Sequence, residues 1–107
     1  MSAKKIVAAG ALLFGLLASA SAEPQNSFLQ LKHEERYWWI NGAVLTLAHY
    51  VSVTDKPKGE CISSWYLKDR AARQKLIEDS IAQYPNEIPT TIVFGLLTRT
   101  CGKLFPS

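Results

Sequence analysis

The sequence predicts a small all-α protein, a disulfide-stapled bundle of four to five helices. Apolar residues recur at spacings of three and four along most of the chain after residue 27, which is typical of buried helix faces. Prolines and glycines interrupt this pattern at a few points and divide it into segments of helix length. The chain contains one pair of cysteines, Cys61 and Cys101, which can link two of these segments.

Residues 1–22 have the pattern of a cleaved signal peptide. Lys4 and Lys5 precede an apolar run over residues 6–18, and Ala20-Ser21-Ala22 matches the small-x-small pattern that signal peptidase cuts. A membrane anchor is the alternative, but a membrane-spanning helix needs ~20 apolar residues and this run is shorter. We therefore expect a periplasmic protein with no stable membrane anchor after cleavage and one domain over residues 23–107.

The charge balance gives no indication of a nucleic-acid partner. The chain has 12 Lys and Arg residues against 9 Asp and Glu residues. Two of the basic residues, Lys4 and Lys5, lie in the predicted signal peptide, so the mature domain is nearly neutral. Nucleic-acid binding normally requires a basic patch, and no such patch is left.

Cys61 and Cys101 are predicted to form a disulfide. An even number of cysteines in an exported chain favours pairing, and a domain this small gains much of its stability from such a bridge. Metal binding is the alternative use of cysteine. It is not favoured, because the chain has no CxxC motif and only two histidines.

The first apolar segment follows a possible N-cap at Asn26-Ser27 and runs without proline to residue 53. A break near residues 32–36 would divide it into two helices, and residues 45–53 also alternate as a strand would. Gly42 and Ala43 are small enough to let another helix approach closely. The predicted buried face consists of Tyr37, Ile40, Val44, Leu47 and Val51.

Residues 54–60, with the sequence TDKPKGE, are predicted to form a loop, because Pro57 restricts φ and Gly59 permits positive φ. Asp69 can then cap a helix that ends before Pro85. The predicted buried face of this helix consists of Leu76, Ile77, Ser80, Ile81 and Tyr84.

Pro85 and Pro89 enclose a tight corner before the last helix. We expect Thr90 to cap this helix and Gly102 to end it. Cys101 therefore lies at the end of the last helix, where a bridge fixes it to the middle of the chain.

The sequence predicts no enzyme, with no catalytic residue, metal site or cofactor. His33 lies in a charged segment, and His49 fits a core or boundary position better than a catalytic base. The motif HEE lacks the second histidine of a zinc site, and Ser63-Ser64 lacks the glycines of a nucleophile elbow.

The tryptophans have two interpretations, core packing and protein–protein contact. Trp38 and Trp39 are adjacent, so they cannot both face the same core from one helix. We expect one of the two at the boundary of the core, where it can contact a partner.

Three segments together resemble the Rap/Tai family of immunity proteins. These are Trp39-Ile40-Asn41-Gly42-Ala43, the stretch from Gln74 to Tyr84-Pro85, and the stretch from Pro89 to Cys101. The similarity covers residues 36–104. One departure is that many members carry an additional cysteine pair near the first helices, and this chain has none.

The resemblance implies a non-catalytic periplasmic protein, often a homodimer, that inhibits a peptidoglycan amidase effector of the type VI secretion system by occluding its active-site cleft. The alternatives are a small acid-stress chaperone of the periplasm and another non-catalytic periplasmic binding protein. Loops that are held rigid bind at low ordering cost, so we expect effector contact at the two charged connections, flanked by an exposed tryptophan. The candidate residues are Asp55, Lys56, Lys58, Glu60, Asn86, Glu87, Trp39 and Trp65.

Overall fold

The computed structural model describes residues 27–105, and they form an all-α bundle with no strand among them. The predicted fold class is thereby confirmed. The predicted signal peptide and the cap at Asn26 lie outside the described residues. Residues 27–30 are helical and precede four longer helices: α1 (His33–Thr54), α2 (Lys56–Lys68), α3 (Arg70–Gln83) and α4 (Pro89–Cys101).

The first apolar segment is broken at Leu31 and Lys32, next to the break considered from the sequence. Lys32 is extended, and its backbone N–H donates to the Glu35 carboxylate over 2.9 Å, which caps the start of α1. Residues 45–53, which could also be read as a strand, are helical. Burial of Val44, Ala48 and Val51 at spacings of four and three decides this, because a helix places all three on one face.

The predicted loop at residues 54–60 is wrong. Only Asp55 lies between α1 and α2, and Pro57 and Gly59 are both helical. Pro57 is the second residue of α2. Backbone N–H groups in the first turn of a helix have no intrahelical acceptor, so a proline at this position costs no helical hydrogen bond. Asp55 caps the helix by accepting a hydrogen bond from the backbone N–H of Lys58 over 3.1 Å.

Two glycines play different parts from those predicted. A Cβ atom added to Gly59 would lie 2.4 Å from the Cβ of Ser52 and 2.6 Å from the carbonyl oxygen of Ala48. Gly59 is therefore the position at which α1 and α2 approach closely, and positive φ is not its function. Gly42, predicted to receive another helix, has no atom within 4 Å of such a Cβ.

The boundaries of α3 and α4 agree in part with the prediction. The Asp69 side chain accepts a hydrogen bond from the backbone N–H of Ala72 over 3.4 Å and caps α3. Helix α4 begins at Pro89, so its cap is Ile88 and not Thr90. Gly102 ends α4 with a φ of 88°, a conformation that favours glycine.

The core lies among all four helices and is joined covalently by the disulfide. Cys61 and Cys101 are bonded, with their Cα atoms 6.0 Å apart, and the bridge ties the end of α4 to α2. The aliphatic side chains that are fully buried are Ile40, Val44, Val51, Ile62, Ile77, Ile81, Val93 and Leu97. Tyr84 and Leu76, predicted on the buried face of α3, are exposed, because Gln74 takes the buried position on the side that faces α1 and α2.

Candidate functional site

The predicted contact residues at the junction of α1 and α2 divide into two groups. Asp55 and Lys58 are used within the fold: Asp55 caps α2, and the Lys58 ammonium lies 3.8 Å from the Asp55 carboxylate and donates to the backbone carbonyl of Lys103. Lys56 and Glu60 are exposed. Of the predicted contact residues at this junction, Lys56 and Glu60 are therefore the two that are free to meet a partner.

The corner between α3 and α4, residues 84–88, is exposed throughout. Asn86 and Glu87 are at its tip, as predicted. Tyr84 and Ile88 flank them, and each exposes about half of its surface, 51% and 52%. The backbone N–H of Glu87 donates to the carbonyl of Tyr84 over 3.0 Å, so the corner is closed by its own turn. The corner therefore presents an aromatic and an aliphatic side chain around a polar tip.

Tyr84 is exposed although its helical spacing predicts a buried position, and Ile88 is a corner residue that the sequence pattern does not single out. Tyr84 directly precedes Pro85, and a residue before proline is disfavoured in the helical conformation. This position indicates that Tyr84 lies beyond the end of α3, as the structure shows. For Ile88 the corresponding signal was Pro89, since a residue before proline is usually extended. Ile88 has φ −69° and ψ 128°.

Two of the three tryptophans are partly buried. Trp39 packs edge-on against Phe28, with ring centroids 5.0 Å apart. Trp65 lies under the guanidinium of Arg73, 4.7 Å from its ring centroid. Trp38 is the exposed member of the adjacent pair, with 60% of its surface free. Of the tryptophans, Trp38 therefore offers the largest exposed fraction to a partner.

An open groove of about 720 Å³ runs between α1 and α4. Its lining contains no charged residue, and Phe94 is partly exposed on the α4 side. Open apolar surface of this kind is a common feature of protein-binding sites. The lining residues are Trp38, Trp39, Gly42, Ala43, Thr46, Leu47, Thr90, Thr91 and Phe94.

The corner and the groove form one region, whereas the α1–α2 junction lies elsewhere. Thr90 and Thr91 follow the corner closely in sequence and line the same groove as Trp38 and Trp39. Asp55 lies beyond the carboxyl end of α1, about 24 Å from Trp39 along the helix at 1.5 Å per residue. A partner seated at the corner therefore lies beside the groove.

The buried polar groups are arranged for stability. Gln74 donates to the hydroxyl of Tyr66 and to the carbonyl of Tyr37, and Arg70 donates to the Tyr37 hydroxyl over 3.0 Å. Burial raises the pKa of Tyr66, and the hydrogen bond to Tyr37 raises the pKa of Arg70. Because these groups bond to one another across three helices, they fix the packing of α1, α2 and α3.

The histidines do not join this network. His33 is exposed, as expected for a charged segment, and His49, predicted at a core or boundary position, is exposed as well. Within residues 27–105, no group of three or more His, Cys, Asp and Glu side chains is placed to hold a metal ion. No helix in the same part of the chain is both long enough and apolar enough to cross a membrane.

Comparison of the chain with protein-family models, with curated proteins and with solved structures finds no match. The corner at residues 84–88 and the neighbouring groove are consequently the features on which an assignment of function depends.

Proposed function

We propose that this protein is a periplasmic immunity protein that binds a peptidoglycan amidase effector of the type VI secretion system and inhibits it by occluding its active-site cleft. The observation that supports this proposal is the corner at residues 84–88. It is five residues long and exposed, and it is closed by an internal backbone hydrogen bond. A short, exposed and ordered turn of this kind can enter a concave site on a partner.

The corner is held on both sides. Pro85 follows the end of α3 and Pro89 begins α4, and proline restricts the backbone at both positions. At its far end α4 is bonded to α2 through Cys61 and Cys101. A segment that is already ordered loses little conformational entropy on binding, which favours tight inhibition.

The side chains of the corner match the usual composition of a protein–protein contact. Tyr84 and Ile88 supply apolar area that a partner can bury, and tyrosine is among the residues that most often dominate binding energy. Asn86 and Glu87 lie between them and can pair with polar groups at the rim of a cleft. The kind of partner that we propose follows from the resemblance of residues 36–104 to immunity proteins.

The test is co-expression with an amidase effector encoded beside this gene, with cell survival and the dissociation constant as readouts. The corner variant replaces Tyr84, Asn86, Glu87 and Ile88 with alanine. It should lose protection and bind at least ~100-fold more weakly, since two anchoring side chains are removed. Its helical circular dichroism should be unchanged, because all four residues are exposed.

The matched control replaces Lys56 and Glu60, at the α1–α2 junction, with alanine and should protect normally. Asp55 is kept in this control because it caps α2. If the corner variant still protects the cell and the control variant does not, the contact lies at the α1–α2 junction. Failure of the unchanged protein to bind any neighbouring amidase would refute the proposal itself.

A further inference from the structure

The chain that follows α4 packs against the bundle over residues 102–105, which we call the strap. Leu104 of the strap is buried, with 2% of its surface exposed, and belongs to the hydrophobic core. The Lys58 ammonium on α2 donates a hydrogen bond to the backbone carbonyl of Lys103. The strap is therefore attached to the helices by a buried side chain and a charge-assisted hydrogen bond.

Phe105 of the strap covers part of two other aromatic rings. Its ring packs edge-on against Tyr50 of α1, with centroids 5.7 Å apart, and is stacked with Phe94 of α4 at 5.8 Å. Tyr50 and Phe94 remain partly exposed beside it. The strap therefore covers apolar surface that α1 and α4 would otherwise present to solvent.

The backbone of the strap is weakly held. Gly102 donates its N–H to the carbonyl of Thr98 and ends α4. Among the described residues, no carbonyl accepts a hydrogen bond from the backbone N–H groups of residues 103–105. Segments with few backbone hydrogen bonds and few buried contacts open at the lowest free energy in a protein. The strap is therefore the kind of segment that can detach while the helices stay folded.

The last turn of α4 depends on the disulfide for its attachment. Leu97 is the last fully buried residue of this helix, and it lies one turn before Cys101. Residues 98–100 are exposed or partly exposed, and a helix end without packing contacts frays. The bond from Cys101 to Cys61 fixes this turn to α2 and thereby fixes the point from which the strap starts.

A reductant can reach the bridge, because Cys61 and Cys101 are both partly exposed. A thiolate of a dithiol reductant attacks one sulfur, so that the S–S bond breaks and a mixed disulfide forms. The second thiol of the reductant then attacks the mixed disulfide and closes the reductant's own disulfide. Two electrons and two protons pass from the dithiol to the bridge, which becomes two cysteine thiols.

From these observations we infer that the Cys61–Cys101 bridge is a redox switch for the strap. The strap is seated while the bridge is intact. Reduction by a dithiol frees the chain beyond Leu97, so the strap detaches and uncovers Tyr50 and Phe94 while the four helices stay packed. The inference is independent of the proposed inhibition of an amidase, because the strap contains none of residues 84–88 and its tests use no partner.

The first test measures backbone order parameters by NMR relaxation of the full chain, in the form that the cell yields, before and after reduction with dithiothreitol. Residues 103–105 should have values of ~0.85 in the oxidised protein, as in a rigid backbone, and below ~0.6 after reduction. The values in α1, α2 and α3 should stay near ~0.85, and reoxidation should restore the strap. A strap that is mobile before reduction or rigid after it overturns the inference, as does loss of order in the helices.

Leu104→Ala tests the attachment of the strap without reduction. The order parameters of residues 103–105 should fall below ~0.6 although the bridge is intact, because the strap loses its buried side chain. Leu76→Ala is the matched control, since Leu76 is a leucine on α3 with 42% of its surface exposed, and this variant should keep a rigid strap. A strap that is equally rigid in the two variants contradicts the inference.

The second test uses the reciprocity of coupled equilibria. If reduction loosens the strap, then loosening the strap must favour reduction by the same factor. We expect Leu104→Ala to raise the equilibrium constant for reduction by dithiothreitol at least ~5-fold and Leu76→Ala to leave it unchanged. Thiol content at a series of ratios of reduced to oxidised dithiothreitol gives the constants. The same constant in Leu104→Ala and in the unchanged protein would show that strap and bridge are uncoupled, which overturns the inference.

Discussion

The side-chain amide nitrogen of Gln74 lies 2.6 Å from the hydroxyl oxygen of Tyr66 in the interior of the bundle. The same nitrogen donates to the carbonyl oxygen of Tyr37 over 3.0 Å, and the Tyr66 hydroxyl donates to Asn41 over 3.1 Å. One glutamine on α3 is thereby bonded to both α1 and α2. Because hydrogen bonds are directional, this contact fixes the orientation of α3 relative to α1 and α2 more closely than apolar contacts alone would.

Removing the Tyr66 hydroxyl should destabilise the fold. We expect Tyr66→Phe to lower the free energy of unfolding by about 1–2 kcal/mol, because the Gln74 amide loses one of its two buried acceptors. Urea denaturation followed by circular dichroism measures the effect. Tyr84→Phe, which removes an exposed hydroxyl, should change stability by much less, and equal losses in the two variants would argue against the network.

Stability should also fall at alkaline pH because of Tyr66. Burial raises its pKa above the ordinary value of 10.0, so the folded state holds the phenolic proton more tightly than the unfolded state does. The stabilisation is complete below the unfolded pKa and is lost as pH rises from about 10 through the folded pKa. Urea titrations between pH 8 and pH 11 should show a decline that is smaller in Tyr66→Phe. An identical decline in both proteins would assign it to other groups.

Gly59→Ala should destabilise the contact between α1 and α2. The new Cβ would meet the backbone of α1 at the Ala48 carbonyl oxygen, 2.6 Å away, so the helices would have to separate. Overpacking of this kind costs about 1–3 kcal/mol. Thermal unfolding measures the change. Gly95→Ala is the matched control, and it should be neutral or stabilising by up to ~1 kcal/mol because alanine favours helix and the site is open.

Loss of the disulfide should remove a large share of the stability. Cys61 and Cys101 are separated by 40 residues, and the chain-entropy model assigns such a bridge about 4 kcal/mol. We expect Cys61→Ser with Cys101→Ser to lower the free energy of unfolding by about 2–5 kcal/mol. Reduction of the unchanged protein with dithiothreitol should reproduce this loss. A double variant as stable as the oxidised protein would show that the bridge is dispensable.

The existence of the helices followed from the sequence more closely than their boundaries did. Val44 and Val51, and Ile77 and Ile81, are buried as their spacing predicts. The start of α2 was missed because Pro57 and Gly59 resemble a loop when they are read one residue at a time. Proline is compatible with the first turn of a helix. Position 59 requires glycine because a Cβ atom there would clash with α1.

The candidate contact residues were identified only in part. Asn86 and Glu87 are exposed as expected. The structure adds Tyr84 and Ile88, which are exposed on either side of them, to the candidate contact residues. Asp55 and Lys58 are bonded within the fold, which a charge pattern cannot indicate because the sequence does not give the partner of each charge. The exposure of Trp38 in place of Trp39 likewise depends on where Phe28 packs.

The sequence by itself determined that residues 27–105 are all-α, that they divide into four to five helices and that two cysteines are available to join them, because these properties follow from the local spacing of residue types. The tertiary structure decided which surfaces remain open. A side chain becomes buried or exposed only when a second helix does or does not cover it, and that depends on contacts between residues far apart in the chain. For this reason Gly59 lies in a tight helix contact while Gly42 faces an open groove, although both are glycines within helices.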